Sequence, residues 1–283
     1  MGWSGRAGTG WRRAPAAGVT RHARRGVVQE LRFSYGNPLK AILLAGLLAG
    51  AGFAQSFTEP PPLLRLNRRP GVNGAAIRQY ADAGAQVNVV GMTSITGPAE
   101  TWLIEPQNSF EGIEEVDKAV GPLVAVDEPL SNEILAASRT MIAVYRPGFS
   151  YRPEQAIQAF PKARYFQVSL YRIRPGTEAE FVELVKSRRI LRDSINLDRP
   201  EMAYQVISGA PSGTYLFLAP LASLKVLDEG LAKARAYAGG IAASAKAGEF
   251  TREHLLFRVE PKMSWVSDEF ASADPEFWRP KAQ

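Results

Sequence analysis

The feature that most limits how this 283-residue chain can fold is that it carries much of its own pattern twice. Pro98, Thr101 and Leu103, in the run GPAETWLIEP, correspond to Pro211, Thr214 and Leu216, in GAPSGTYLFLAP, at a constant spacing of 113 positions. At the same spacing Ser138 to Val144 aligns with Thr251 to Phe257, which sets Arg139 on Arg252. Upstream, Arg69-Pro70-Gly71 corresponds to Arg174-Pro175-Gly176, so the second copy has extra residues before its next block. Self-similarity at a long period marks a repeated supersecondary unit, and three blocks in one order predict two units of one kind.

The second copy shows what the unit is. Tyr165 to Ile173 is β-branched and aromatic and reads as a strand, ended by Pro175-Gly176. Thr177 with Glu180 predicts a capping box opening a helix on which Phe181, Leu184 and Val185 share a face. Met202 to Ser208 and Thr214 to Ala219 read as a hairpin around a glycine-flanked turn. Ser223 can cap a helix with Leu224, Leu227 and Leu231 on one stripe, a weaker helical stretch follows at Ile241 to Ala247, and His254 to Val259 is a last strand. The first copy repeats this order. It has strands at Leu63 to Arg68, Gln86 to Ile95, Glu100 to Glu105 and Thr140 to Tyr145, a short helix after Gly71, and helices near Ser109 to Val120 and Asn132 to Ala137. The order β-α-β-β-α-β is the split βαβ arrangement.

In these strands both alternating sets are largely apolar: Phe166, Val168 and Leu170 against Tyr171 and Ile173, or Tyr215 and Phe217 against Leu216 and Leu218. A sheet with one wet face alternates apolar with polar, so both faces are expected to be covered. Helices cover one face, and the other copy's sheet is the economical cover for the second. The expected fold class is α+β, two tandem ferredoxin-like units packed sheet to sheet as an intrachain pseudo-dimeric α/β barrel. The expected organisation is a leader at 1–54, a first repeat at 63–146, a proline-containing linker at 147–164, a second repeat at 165–261 and a tail at 262–283. The tail holds Trp265, Phe270, Phe277 and Trp278, more aromatic surface than a disordered segment carries, and is expected to pack on the body.

The two RPG turns, the element order and the duplication together resemble the dimeric α/β-barrel superfamily over roughly Leu63 to Pro261. Its nearest branches here look like the NIPSNAP-like and antibiotic-biosynthesis-monooxygenase-like families, and exported bacterial proteins of the same fold. The resemblance implies a small molecule or haem held between the sheets, or cofactor-free oxidation of a small aromatic substrate. Cofactor-free oxygenases of that kind use an Asn, a Trp and a His, and by residue type these would be Asn88, Trp102 and His254. A packing role competes with this, because at the repeat spacing Met141 stands where His254 stands and Tyr215 where Trp102 stands.

Haem needs an axial ligand, commonly His. With His22 in the leader, His254 alone would have to supply it, so no cofactor is expected. No cysteine is present, and no cluster of His is available for a metal. No GxSxG, P-loop or GxGxxG motif is found. If the barrel encloses a polar pocket, Gln167, Ser169, Tyr171, Tyr204 and Gln205 are its candidate lining, with local hydrogen bonding as the plainer role.

Residues 1–54 hold eight basic side chains against one acidic, which leaves 26 against 27 in the remainder. A near-neutral body gives no electrostatic case for nucleic acid. Ala41 to Ala54 is an uncharged apolar run with small residues at its end, the layout of a secretory signal and too short for a stable membrane span. The expected location is therefore periplasmic or extracellular. The expected function is an exported barrel protein binding a small apolar ligand between its sheets, with no catalysis defined. The alternatives are a cofactor-independent oxygenase using His254, and a structural protein that self-associates through open sheet edges.

Overall fold

The computed structural model describes residues 58–71, 84, 87–124, 138–236 and 250–280. The leader 1–54 and the helices expected after Gly71, at 132–137 and at 241–247 lie outside the described residues. Among the described residues eight strands are present: β1 Leu63–Pro70, β2 Val90–Ser94, β3 Glu100–Gln107, β4 Arg139–Tyr145, β5 Tyr165–Arg172, β6 Met202–Ser208, β7 Thr214–Leu221 and β8 Thr251–Val259. They close into one antiparallel barrel in the order β1-β3-β2-β8-β5-β7-β6-β4.

Closure differs from two sheets laid face to face. β2 hydrogen-bonds to β8, with Met92 opposite Val259, and β4 to β6, with Val144 opposite Gln205. The outer strands of each half therefore pair with the other half, and this removes the basis for self-association through open edges, because a closed barrel has none. The turn between β6 and β7 fixes one of these joins. Gly209 has φ +83, and a Cβ there would sit 1.9 Å from the Thr140 carbonyl oxygen, so only glycine fits.

Strand alternation sends one set of side chains inward. Leu64, Leu66, Met92, Trp102, Ile104, Phe166, Tyr204 and Phe257 are all less than 2% exposed, and the Trp102 and Phe257 rings lie 4.9 Å apart. An eight-stranded barrel is only wide enough for its own side chains or one small ligand, and here side chains take the interior. These residues occupy the middle of the volume expected to hold an apolar ligand between the sheets, and a pocket of about 220 Å³ remains at one end of the barrel, lined by Arg68, Arg139, Met141, Leu170, Arg172 and Glu253 among others.

The segment after β4 and the chain's C-terminal part stop one end of the barrel. Helix α2 (Pro153–Ala159, after α1, Phe110–Val124) contributes Ala156 and Ile157, and the turn Phe160–Lys162 contributes Phe160. Val266 joins them with Phe270 and Ala271 of α5 (Asp268–Ser272) and Trp278 of α6 (Pro275–Trp278). Phe160 meets Phe166 at 5.2 Å and Phe270 at 5.7 Å, and the Trp278 indole N–H donates to the Pro161 carbonyl at 2.7 Å.

On the outside, α1 lays Val116 and Val120 against Leu103 and Val89. Helix α3 (Glu178–Ser194) buries Phe181 and Val185 against Tyr171, Tyr215 and Phe217. The capping box expected at its start is not formed: the Thr177 hydroxyl donates back to the Arg174 carbonyl at 2.8 Å instead. Helix α4 (Lys225–Ala236) follows β7. No helix among the described residues is long and apolar enough to cross a membrane.

Candidate functional site

The Asn, Trp and His expected from the resemblance do not share a cavity. Trp102 points into the barrel, where its indole N–H donates to Glu100 at 2.7 Å and the Arg68 guanidinium lies 4.7 Å over its ring. Asn88 holds the C-terminal segment, its Oδ1 accepting from the Ser267 N–H at 2.8 Å. His254 lies opposite Ser169 on the outer face of β8, since its neighbours Leu255 and Phe257 belong to the interior cluster. Alternation by two along β8 puts the barrel wall between His254 and Trp102, so the oxygenase constellation is not assembled.

The polar candidates divide in the same way. Gln167, Ser169 and Tyr171 sit beside His254 on the outer face, whereas Tyr204 is inside, its hydroxyl donating to the Pro61 carbonyl at 3.2 Å. Gln205 accepts from the Arg146 Nε at 2.9 Å, away from both groups. They cannot together line a pocket between the sheets.

What the outer face does assemble is a cleft of about 390 Å³ between β5 and β8 below and α3 and α4 above. Arg188, Arg192, Arg199 and Arg252 reach it, with Gln167 on its floor. Leu191, Ile195, Leu197, Leu227 and Leu231 form its apolar wall. The sequence explains two of the arginines, for Phe181 and Val185 define the buried stripe of α3 and Arg188 and Arg192 continue it at helical spacing. Behind the cleft, Glu201 is buried and accepts from Arg192 at 2.9 Å and Arg188 at 3.3 Å. Burial opposes its ionisation, but Arg188, Arg192 and Arg199 outweigh that and hold its carboxyl at about 2. One carboxylate, hydrogen-bonded to two of them, thus serves a cleft that four guanidinium groups reach.

Arg199 differs from the others because its buried Nε has no hydrogen-bond partner. Burial, and then the neighbouring Arg192, lower its pKa to about 10, so it is charged at neutral pH. Arg252 donates to His254 Nδ1 at 2.7 Å, and Ser169 Oγ lies 2.8 Å from the same nitrogen. A guanidinium can only donate, so Nδ1 carries the lone pair and the ring proton is on Nε2; the Gln167 amide nitrogen beside Nε2 is itself a donor, so the amide accepts that proton only when turned to present its Oε1. Loss of water around the ring, followed by the charges of Arg252, Arg199 and Arg188, lowers the His254 pKa to about 4, in agreement with a neutral imidazole. Both ring nitrogens are engaged, so the His254 environment does not fit an axial haem ligand. Among the described residues no group of three or more His, Asp or Glu side chains is placed to hold a metal ion.

Sequence reasoning passed over Arg188, Arg192, Arg199, Glu201 and Arg252. The signal was present in α3, as an apolar stripe that turns into two like charges one helical turn apart.

No family model matches the chain, and no curated protein matches it. Solved structures do. A candidate monooxygenase from Fusobacterium nucleatum is 12% identical with a TM-score of 0.43, covering 71% of this chain and 93% of that one. An anthrone oxidase-like protein is 10% identical at 0.41, covering 70% and 91%. A chlorite dismutase variant from Candidatus Nitrospira defluvii, in complex with cyanide, is 9% identical at 0.44, covering 77% and 98%. At these levels no activity and no residue role passes from them to this chain.

Proposed function

We propose that this protein binds a small organic anion in the arginine cleft on the outer face of β5 and β8. The observation that carries the reading is Arg199, charged, with a buried Nε left without an acceptor, beside two arginines that share one carboxylate and a third, Arg252, that bonds His254. Leaving a buried donor unsatisfied costs about 1–3 kcal/mol, and an anion that the Arg199 guanidinium turns to meet would offset that cost. The cleft volume of about 390 Å³ suits a small molecule. Calorimetry of the purified chain against acetate, benzoate, succinate and inorganic phosphate tests it. At least one anion should bind, and Arg199→Gln should weaken that binding about tenfold or more. Heat of binding unchanged by Arg199→Gln, or no binding at all, overturns the proposal.

No catalytic step is assigned to the cleft. We further propose an internal duplication and export. The first four strands run side by side as β4-β1-β3-β2 and the last four as β8-β5-β7-β6, the same internal order, which supports descent of both halves from one ferredoxin-like unit. The apolar run 41–54 supports export, and intact-mass analysis of the periplasmic fraction tests it: a chain retaining residues 1–54 in the cytoplasm alone would refute export.

A further inference from the structure

We infer that the anion taken by this cleft is amphipathic, a monocarboxylate on a compact apolar body, an inference that rests on the anion-binding reading above. The lining is divided in kind. Charged donors come from the sheet, from α3 and from the loop after it, while α4 offers Leu227, Gly230, Leu231 and Ala234. Leu231 is 57% exposed, among the most exposed of the large apolar side chains described, and it faces this cleft. On α3 and the loop after it, Leu191, Ile195 and Leu197 line the same space, so an apolar group entering between the helices would be covered on two sides.

The donors on offer are limited. Arg188 and Arg192 are engaged by Glu201, and Arg252 gives one Nη to His254, which leaves the Arg199 fork and the remaining N–H groups of Arg252. One carboxylate accepting from a planar fork fits that supply. A compact inorganic anion would satisfy the same donors and leave the leucines in contact with water.

The experiment is calorimetry on the full chain with acetate, butanoate, hexanoate, octanoate and inorganic phosphate as probes. Affinity should rise about fourfold for each methylene that enters the apolar end, the factor that burial of one CH₂ supplies. Leu231→Ser should flatten this series and leave acetate unchanged, and since the residue is largely exposed the variant is expected to fold. Ala234→Phe, which fills the same end, should reduce octanoate binding and spare acetate. Acetate and phosphate binding with no dependence on chain length overturns the amphipathic inference alone. A series that steepens normally in both variants also overturns it, because the tail then lies elsewhere. Failure of every probe, or chain-length dependence that survives Arg199→Gln without loss, overturns the anion site on which the inference stands.

Discussion

At the scale of single residues the cleft is governed by one buried carboxylate. Removing one partner of a buried ion pair leaves uncompensated charge and costs roughly 3–5 kcal/mol. Glu201→Gln, which strands Arg188 and Arg192, should therefore lower unfolding free energy by about that much, read from urea denaturation. The titration of the same group has a definite sign. Its folded pKa of about 2 lies below the unfolded value near 4.5, so its contribution is complete above about pH 4.5 and is lost as pH falls toward 2. His254, held at about 4 against 6.5, acts in the same direction at higher pH: the unfolded chain takes up the proton first, and stability drops as pH falls from about 6.5 to 4. NMR titration of the His254 ring should give a midpoint near 4, and a bound anion should move it upward by offsetting Arg252, Arg199 and Arg188. A midpoint at the ordinary 6.5 in the free protein would contradict the environment described.

At the scale of elements, the C-terminal segment is held by close backbone approach as much as by its aromatics. A Cβ on Gly91 of β2 would lie 2.0 Å from the Met263 carbonyl oxygen, in the turn Pro261–Met263 that begins this segment. Gly91→Ala should displace that turn, expose Phe270 and Trp278, and raise binding of an apolar dye while shifting the tryptophan emission to longer wavelength. An unchanged emission spectrum would mean that the stopper is held by its aromatic contacts alone. The strands were most legible in the sequence where burial on both faces leaves a continuous apolar run, as in Thr214–Leu221, where every residue is buried, and least so in Thr251–Val259, whose first four residues are exposed. The joins β2 to β8 and β4 to β6 were not, because they are made by backbone hydrogen bonds that have no side-chain signature. The candidate site was half legible. His254, Gln167 and Ser169 were singled out and do meet, with Tyr171 on the same face under Arg252, but which face that is depends on strand parity across the barrel. Arg188 and Arg192 were missed because basic residues on a helix ordinarily face water, and Arg199 and Arg252 because nothing local in a loop or a strand marks a charge as turned inward.

At the scale of the whole molecule, each half alone would present an apolar inner face and two unpaired outer strands. A fragment spanning 55–146 should therefore fail to give a folded monomer, and light scattering should report aggregates or paired fragments. A monodisperse, cooperatively unfolding single copy of that fragment would show that the halves are independent domains.

The join between Met92 and Val259 also orders events in time. During synthesis the ring stays unfinished until the ribosome has released its final strand, and the contacts that complete it are among the most distant along the chain, which slows folding. A partly made or stalled polypeptide thus carries two raw margins of the right shape to accept the matching strands of a sister molecule. Exchange of halves between nascent copies is the characteristic misassembly that this architecture invites.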